Sequence, residues 1–243
     1  MPLTWSFFVP GAGFEPALPF GKGGLSPPCL PIPPPGPALN TTPSCAARAL
    51  VHCERRVYGR GMSQEVINRV TSLVNQFDAR VQAAGSDSWD NQSPCADWKA
   101  RDVVAHVANN LAGVTAGLTS TEASTVSADG DIAASWGQVR DGFVGTIGSA
   151  DLSQTLNGPF GPMPADQLLG RIMSTDVLVH TWDLARSVGG DEQLDADAVE
   201  GAYSGMKPMD AMIRRPGVFD AKVEAPADAD RQTEFLCFLG RNA

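Results

Sequence analysis

The sequence predicts an all-α protein, folded as a four-helix up-and-down bundle with a short C-terminal extension. Long segments repeat apolar residues at spacings of three and four, and the connections between them are short or rich in Gly, Pro and Ser. A further observation sets the boundary of the fold. Residues 1–61 contain 12 of the 19 prolines and show neither helical nor strand periodicity, so the predicted bundle occupies residues 62–243.

The proline-rich tract of residues 1–61 allows two interpretations. It is either a disordered extension or the result of a mis-assigned start, with translation beginning at Met62. We favour the second, because the composition changes abruptly at a methionine from which helical periodicity begins at once. Under both interpretations the tract stays outside the predicted fold, so His52 and Cys53 are discounted as ligands.

The first predicted helix runs over 62–84 and ends at Gly85. Its apolar positions are Val66, Val70, Leu73, Val74, Phe77 and Val81. A loop over 87–98 follows. We expect its two tryptophans, Trp89 and Trp98, to anchor the loop over one end of the bundle rather than to stack on a ligand.

The second predicted helix runs over 99–118 and carries His106 at its centre. Asp97 is the expected N-cap, and Asp102 lies in the first turn, where a negative charge suits the helix dipole. A single histidine on a half-apolar helical face is more often a satisfied core residue than a ligand. His106 therefore needs a partner on another element to indicate a site.

The later elements are predicted from the same periodicity and from Gly and Pro signals. They are a helix over 132–149, a Gly- and Pro-rich connection over 152–164, a helix over 164–188, a helix over 195–213 disturbed by Pro208, a short strand or extended segment over 222–224, and a short helix over 227–239.

The helix predicted over 164–188 has an apolar stripe that turns polar in its second half. The stripe passes through Leu169 and Met173 and continues through Asp176, His180 and Asp183. Side chains four apart lie about 40° from each other around a helix, so the three polar groups share the face that enters the core. Carboxylates and imidazoles are costly to bury unless they are paired or bind a metal. This stripe therefore indicates a site.

The two histidines of the predicted fold suggest what this site binds. If the second and fourth helices face each other, His106, Asp176 and His180 converge into a set suited to Zn²⁺ with an open position, or to Fe²⁺ or Ni²⁺. Asp183 is then a partner that holds His180, or a weaker fourth ligand. The alternative is a buried Asp–His hydrogen-bonded pair with no metal.

Charge and composition exclude several classes of partner. The formal net charge of −9 argues against binding to nucleic acid or to anionic membranes, and no apolar run is long enough to span a bilayer. The five cysteines show no CxxC spacing and no disulfide framework, which fits a reducing cytoplasm. We expect a small-molecule substrate or thiol as the partner, and a homodimer is left open.

Five short motifs resemble one family. They are 93–98 (SPCADW), 101–107 (RDVVAHV), 179–189 (VHTWDLARSVG), 223–230 (VEAPADAD) and 239–241 (LGR). Together they resemble the actinobacterial metal-binding proteins of the DinB-like superfamily, and within it the N-terminal domain of mycothiol-dependent maleylpyruvate isomerase. The resemblance covers about residues 62–243.

The resemblance implies a fold and a metal site. The family fold is a four-helix bundle, and its divalent metal, usually zinc, would be held here by His106, Asp176 and His180. Aspartate at position 176 is a departure, because the family usually has the longer glutamate there. Some relatives use low-molecular-weight thiols, so a thiol such as mycothiol is the implied cofactor or co-substrate.

The leading functional hypothesis is a metal-dependent thiol transferase or isomerase that acts on a small molecule, because a zinc-bound thiol loses its proton near neutral pH. Asn109, Asn110 and Asp183 are candidates to orient the substrate or a metal-bound water, and no catalytic residue is assigned. The alternatives are a non-catalytic metal- or ligand-binding stress protein and a metal-water hydrolase with the same ligands.

Overall fold

Helices make up most of the described residues, as predicted. The computed structural model describes residues 45–214, 219 and 221–243, with side chains from residue 63 onward. The chain divides into two units. One contains Gly61–Ala243. Of the other, Val9–Arg60, only a helical backbone from residue 45 is described.

Eight α-helices and one β-hairpin follow one another along the described residues. They are α1 Cys45–Ala83, α2 Ala100–Thr119, α3 Ile132–Ile147, β1 Thr155–Gly158, β2 Gly161–Pro164, α4 Ala165–Gln167, α5 Ser174–Val188, α6 Ala196–Met206, α7 Asp210–Ile213 and α8 Arg231–Phe238. A π-helical turn, Leu168–Met173, joins α4 to α5. Short 3₁₀ turns lie at Ser86–Ser88 and Lys207–Met209. No helix in the described ranges is long and apolar enough to cross a membrane.

Helix α1 starts earlier than its apolar pattern predicts. It ends one residue from the predicted end, but it begins at Cys45 rather than at Met62. The segment before Met62 contains strong helix formers such as Ala, Arg, Leu and Glu and no proline after Pro43, so its backbone can be helical without an apolar stripe. Residues 1–44 lie outside the described residues, and the prediction for that tract remains a prediction.

Helix α2 is capped by a different residue from the one expected. Lys99 occupies the N-cap position, and its backbone N–H donates to Asp102 Oδ2 at 2.8 Å. Asp97 has φ 65°, in the left-handed region, and lies before the cap. The predicted place of Asp102 in the first turn is therefore confirmed, whereas the prediction that Asp97 is the N-cap is wrong.

The Gly- and Pro-rich connection forms an antiparallel hairpin that the sequence did not indicate. Thr155 pairs with Pro164, and Gly158 pairs with Gly161 at the turn, where Gly161 has φ 108°. Proline lacks a backbone N–H, but both strands of a two-stranded ribbon are edges that tolerate it. The strand-like pattern at 222–224 forms no strand in the described residues around it.

The segment predicted as one helix over 164–188 is helical from Ala165 onward and contains the π turn, whereas Pro164 ends strand β2 instead of starting the helix. At the π turn the Ser174 hydroxyl donates to the carbonyl of Leu169, five residues earlier, at 2.9 Å. The π turn contains one more residue than an α-helical turn. The side chains of α5 are therefore rotated about the helix axis relative to the positions that 100° per residue predicts. A Cβ at Gly170 would lie 3.3 Å from Val66 on α1, so the absence of a side chain permits this close packing.

The core is built around α2, which contacts α3 on one side and α5 on another. Helix α1 packs through its predicted apolar face: Phe77 lies 4.7 Å from Trp136 between ring centroids, and the Trp136 indole N–H donates to Asp78 Oδ1 at 2.9 Å. Helix α6 contacts α5 and α8. The contact between α2 and α5 is what positions the site.

A candidate metal centre between two helices

The structure brings together the three residues proposed as ligands. His106 projects from α2, while Asp176 and His180 lie one turn apart on α5. Asp176 Oδ1 lies 3.3 Å from His106 Nε2 and 3.6 Å from His180 Nε2. The donor atoms of all three residues lie within 4.8 Å of one another. One imidazole nitrogen from α2 and one from α5 therefore lie beside the same carboxylate oxygen at the α2–α5 contact.

Asn110 completes this face of α2. Its amide donates to Asp176 Oδ2 at 3.0 Å and lies 3.0 Å from His106 Nε2. It therefore fixes the second oxygen of Asp176 and leaves Oδ1 toward the two histidines. Asn109 is placed differently: its amide donates to the carbonyls of Ala105 and Val126, and its oxygen accepts from the Val126 N–H. Those bonds tie the loop after α2 to the helix.

His180 is held from its other nitrogen by a buried carboxylate. His180 Nδ1 lies 2.9 Å from Asp183 Oδ2, and the two side chains are 1% and 0% exposed. Arg241 donates to Asp183 through Nη2 at 2.8 Å and through Nε at 3.3 Å, and the thiol of Cys95 lies 3.3 Å from Oδ2. Burial would raise the pKa of Asp183, but Arg241 and His180 outweigh it and hold that pKa well below its usual range. Asp183 is therefore an ionised, fully bonded support for His180.

The indole of Trp98 covers both imidazoles. Its ring lies 4.8 Å from that of His106 and 5.8 Å from that of His180, and Trp98 is itself buried. The expectation that Trp98 anchors its loop is compatible with this position. The Trp98 ring packs against both histidines and shields these faces of the imidazoles from water.

The protonation states differ between the two histidines. Burial lowers the pKa of His106, so its imidazole is held neutral. Burial by itself would also lower the pKa of His180, but the hydrogen bond with Asp183 and the proximity of Cys95 and Asp176 outweigh it and raise that pKa to about 10. For Asp176, burial is outweighed by His106 and His180, which lower its pKa to about 2. Without a metal, protonated His180 therefore supplies the positive charge beside the Asp176 carboxylate.

The donor set fits a tetrahedral divalent metal. Ligand bonds of about 2.1 Å at the tetrahedral angle place neighbouring donor atoms about 3.4 Å apart. The two measured separations from Asp176 Oδ1, 3.3 Å and 3.6 Å, bracket that value. His180 Nε2 is buried and has no hydrogen-bond partner among the described residues. A divalent cation that replaced the proton on His180 would bind this nitrogen and Asp176 Oδ1 together.

A second cluster shares His180 but fits a metal less well. Its donors are Cys95, His180 and Asp183. The guanidinium of Arg241 already lies 2.8 Å from Asp183 Oδ2 and 3.6 Å from the Cys95 sulfur, and it is buried with them. A divalent ion placed there would face this fixed positive charge at close range. The arrangement favours the cluster of His106, Asp176 and His180.

A cavity of about 660 Å³ opens beside the cluster and is lined in part by Asp176 and His180. Its other walls come from α1, the π turn, α5, α6 and the residues that follow α6. This volume lies in the range of pockets that hold small-molecule ligands.

Sequence reasoning did not place three residues at the site, although it expected one of them, Trp98, to anchor its loop. Cys95, Trp98 and Arg241 all fall within the short motifs that resemble the family, but nothing in their spacing places them beside α5. Asp183 and Asn110 were expected near the site, and the structure places both there.

Comparisons with known proteins agree with the resemblance. A family profile described as the mycothiol maleylpyruvate isomerase N-terminal domain matches residues 70–185. Two proteins of Mycobacterium tuberculosis, uncharacterized protein MT0763 of strain CDC 1551 / Oshkosh and uncharacterized protein Rv0738 of strain ATCC 25618 / H37Rv, are similar. Each is 27% identical over 167 residues, covering 68% of this chain and 91% of the relative. No solved structure gives a significant match.

Proposed function

We propose that the protein binds a divalent metal, zinc, through His106, Asp176 and His180, because these residues form a donor cluster and residues 70–185 match the profile of the mycothiol maleylpyruvate isomerase N-terminal domain. We further propose that it is an enzyme of the thiol-transferase or isomerase type acting on a small molecule. Its helices would form the four-helix DinB-like bundle of that family, with α2 at the centre, in contact with α3 and α5.

The observation that carries the metal proposal is the unsatisfied nitrogen of His180. A buried polar atom without a partner costs free energy comparable to a lost hydrogen bond. His180 Nε2 is in this position among the described residues, and it faces Asp176 Oδ1 at 3.6 Å. His106, held neutral by burial, places its Nε2 atom 3.3 Å from the same oxygen.

The residues around the ligands orient them. When bound, a zinc ion would lower the pKa of a thiol so that it reacts as a thiolate near neutral pH. Asp183 accepts from His180 Nδ1 and so leaves Nε2 for the metal, as carboxylate partners of ligating histidines do. Asn110 holds Oδ2 of Asp176, and Trp98 keeps water away from both imidazoles.

The cavity supports an enzyme over a purely structural or storage role. A non-catalytic binding protein would be expected to close its coordination sphere and to lack a cavity of substrate size. Here about 660 Å³ of space adjoins Asp176 and His180. A low-molecular-weight thiol such as mycothiol is the proposed co-substrate, since the matching family is named for it. A hydrolase with the same metal ligands is the remaining enzymatic candidate. Activity assays with and without thiol distinguish it from a thiol transferase.

The test is an elemental analysis followed by paired assays. The full chain is purified and its zinc content measured, and the zinc-loaded protein is then incubated with an electrophile such as 1-chloro-2,4-dinitrobenzene, with and without mycothiol. Thiol-dependent conjugation that disappears in His180→Ala supports the proposal. Turnover of ester or amide substrates without thiol would replace it with hydrolysis. Less than one bound divalent ion per ten chains after zinc loading would refute the metal site itself.

A further inference from the structure

The cavity beside the cluster has mostly apolar walls. Asp176 and His180 contribute polar groups to it, and His180 Nε2 is buried with no hydrogen-bond partner among the described residues. Much of the remaining lining is made of larger apolar side chains: Leu73, Leu178, Met206, Met209, Ile213 and Phe219. Methionines are unbranched and polarisable, so a wall with two of them adapts to varied apolar ligands. A ligand seated here would bury an apolar body.

Helix α6 leaves one side of the cavity open. Gly201 and Gly205 lie one turn apart on that helix, both are exposed, and both line the cavity. A Cβ added at either position would meet no atom within 4 Å. Between them, Ala202 contributes a small side chain to the same wall. The space over this part of α6 is therefore an entrance that larger residues would narrow.

Two arginines provide positive charge at the cavity. Arg69 from α1 and Arg171 from the π turn are both exposed, and neither forms an ion pair with any residue that the structure describes. Two aspartates also line the cavity at the start of α6. Asp195 accepts from the Ala198 N–H at 2.8 Å as the helix cap, and Asp197 lies in the first turn, where the helix dipole favours its charge. The arginines are thus the groups left to bind a ligand anion.

From these walls and charges, we propose that the cavity binds the acceptor substrate, and that this acceptor is a small amphipathic carboxylate with an apolar body. This rests on the proposed function, because the acceptor must reach a thiol held at His106, Asp176 and His180. Its apolar body lies against Met206, Met209 and their neighbours, while its carboxylate is bound by Arg171 or Arg69. A highly polar dicarboxylate would leave the apolar walls without a partner.

Binding is measured by calorimetry or NMR on the full chain, metal-free and zinc-loaded, with three probes: 4-phenylbutyrate, 4-phenylbutanol and glutarate. Phenylbutyrate should bind at least five-fold more tightly than either of the others, since only it has both an apolar body and a carboxylate. Arg171→Gln together with Arg69→Gln should remove its advantage over phenylbutanol. Equal or tighter binding of glutarate would overturn the proposal.

Substitutions of two glycines on α6, with a matched control on α3, test whether the ligand binds in this cavity. Gly205→Leu and Gly201→Leu narrow the entrance and should weaken phenylbutyrate binding at least ten-fold. Gly137→Leu is the control, because Gly137 lies on α3, lines no part of this cavity and has equally open space at its Cβ. Phenylbutyrate binding that is unchanged in both α6 variants would overturn the assignment. Zinc content is measured in every variant, so a failed metal site is told apart from a failed acceptor site.

Discussion

The Nδ1 atom of His180 lies 2.9 Å from Oδ2 of Asp183, less than one turn further along α5. This contact fixes the imidazole so that its other nitrogen faces Asp176 and the α2 histidine. Asp183 in turn is held by Arg241 from the C-terminal end of the chain. The contact between His180 and Asp183 within α5 is therefore supported by Arg241, a residue distant in sequence. The stability of the site depends on both contacts.

His106→Ala and His180→Ala should each abolish stoichiometric zinc binding while the protein stays folded. Each removes one of three donors, and the core of the protein consists of other side chains. Inductively coupled plasma mass spectrometry measures zinc, and circular dichroism checks helicity. Asn109→Ala is the control on α2, because the Asn109 amide bonds to backbone groups outside the cluster. Full zinc occupancy in His106→Ala would leave the metal-free Asp–His pair as the better explanation.

Asp176→Glu should bind zinc as well as the natural chain or better. It restores the residue that the resembling family usually has, and the longer, more flexible side chain can still place a carboxylate oxygen beside both histidines. Competition with a fluorescent zinc chelator gives the dissociation constant. A crystal structure of the zinc complex should show ligand distances of about 2.0–2.2 Å. A loss of affinity beyond ten-fold would show that the α2–α5 spacing is matched to aspartate.

Asp183→Asn should weaken zinc binding by roughly 10–100-fold, as loss of a carboxylate behind a ligating histidine does. It should also lower the free energy of unfolding by about 3–5 kcal/mol, because it leaves the buried Arg241 without its charged partner. Urea unfolding and zinc titration measure the two effects. Adding Arg241→Met should recover part of the stability without recovering zinc affinity. Recovery of both would mean that Asp183 acts only on folding.

Removal of zinc by a chelator should lower the melting temperature but leave the far-UV helicity at room temperature largely intact. The ligands come from packed helices whose core does not involve the metal, so the site is preformed, unlike that of a zinc finger. Bound zinc adds stability because it binds only the folded state. Melting curves with and without EDTA test this. Loss of far-UV helicity on chelation would show that the helices fold only when the metal is bound.

A chain beginning at Met62 should melt within about 2 °C of the full chain, a shift that corresponds to less than about 1 kcal/mol for a domain of this size. Of the described residues, truncation at Met62 removes only the helical backbone of 45–60, which belongs to the other unit, and Gly61. Differential scanning calorimetry of the two chains makes the comparison. A drop of several degrees would show that the early part of α1 stabilises the fold.

Local sequence patterns predicted most of the helices. The apolar spacing identified α2 and α3 to within about two residues at each end. Pro208 itself predicted the interruption that the structure shows as a 3₁₀ turn. The spacing also placed Asp176 and His180 on one helical face, because side chains four residues apart are neighbours in any α-helix. These results depend only on short-range geometry, which the order of residues determines directly.

Only the tertiary structure determined the π turn and the contacts behind the ligands, because these features join residues that are far apart along the chain. The π turn arises where Gly170 packs under Val66 of another helix, and the contact of Arg241 with Asp183 joins residues 58 positions apart. Cys95 and Arg241 meet across 146 positions. Periodicity carries no information on such pairs, since they depend on how complete helices pack and on which buried charges must find partners.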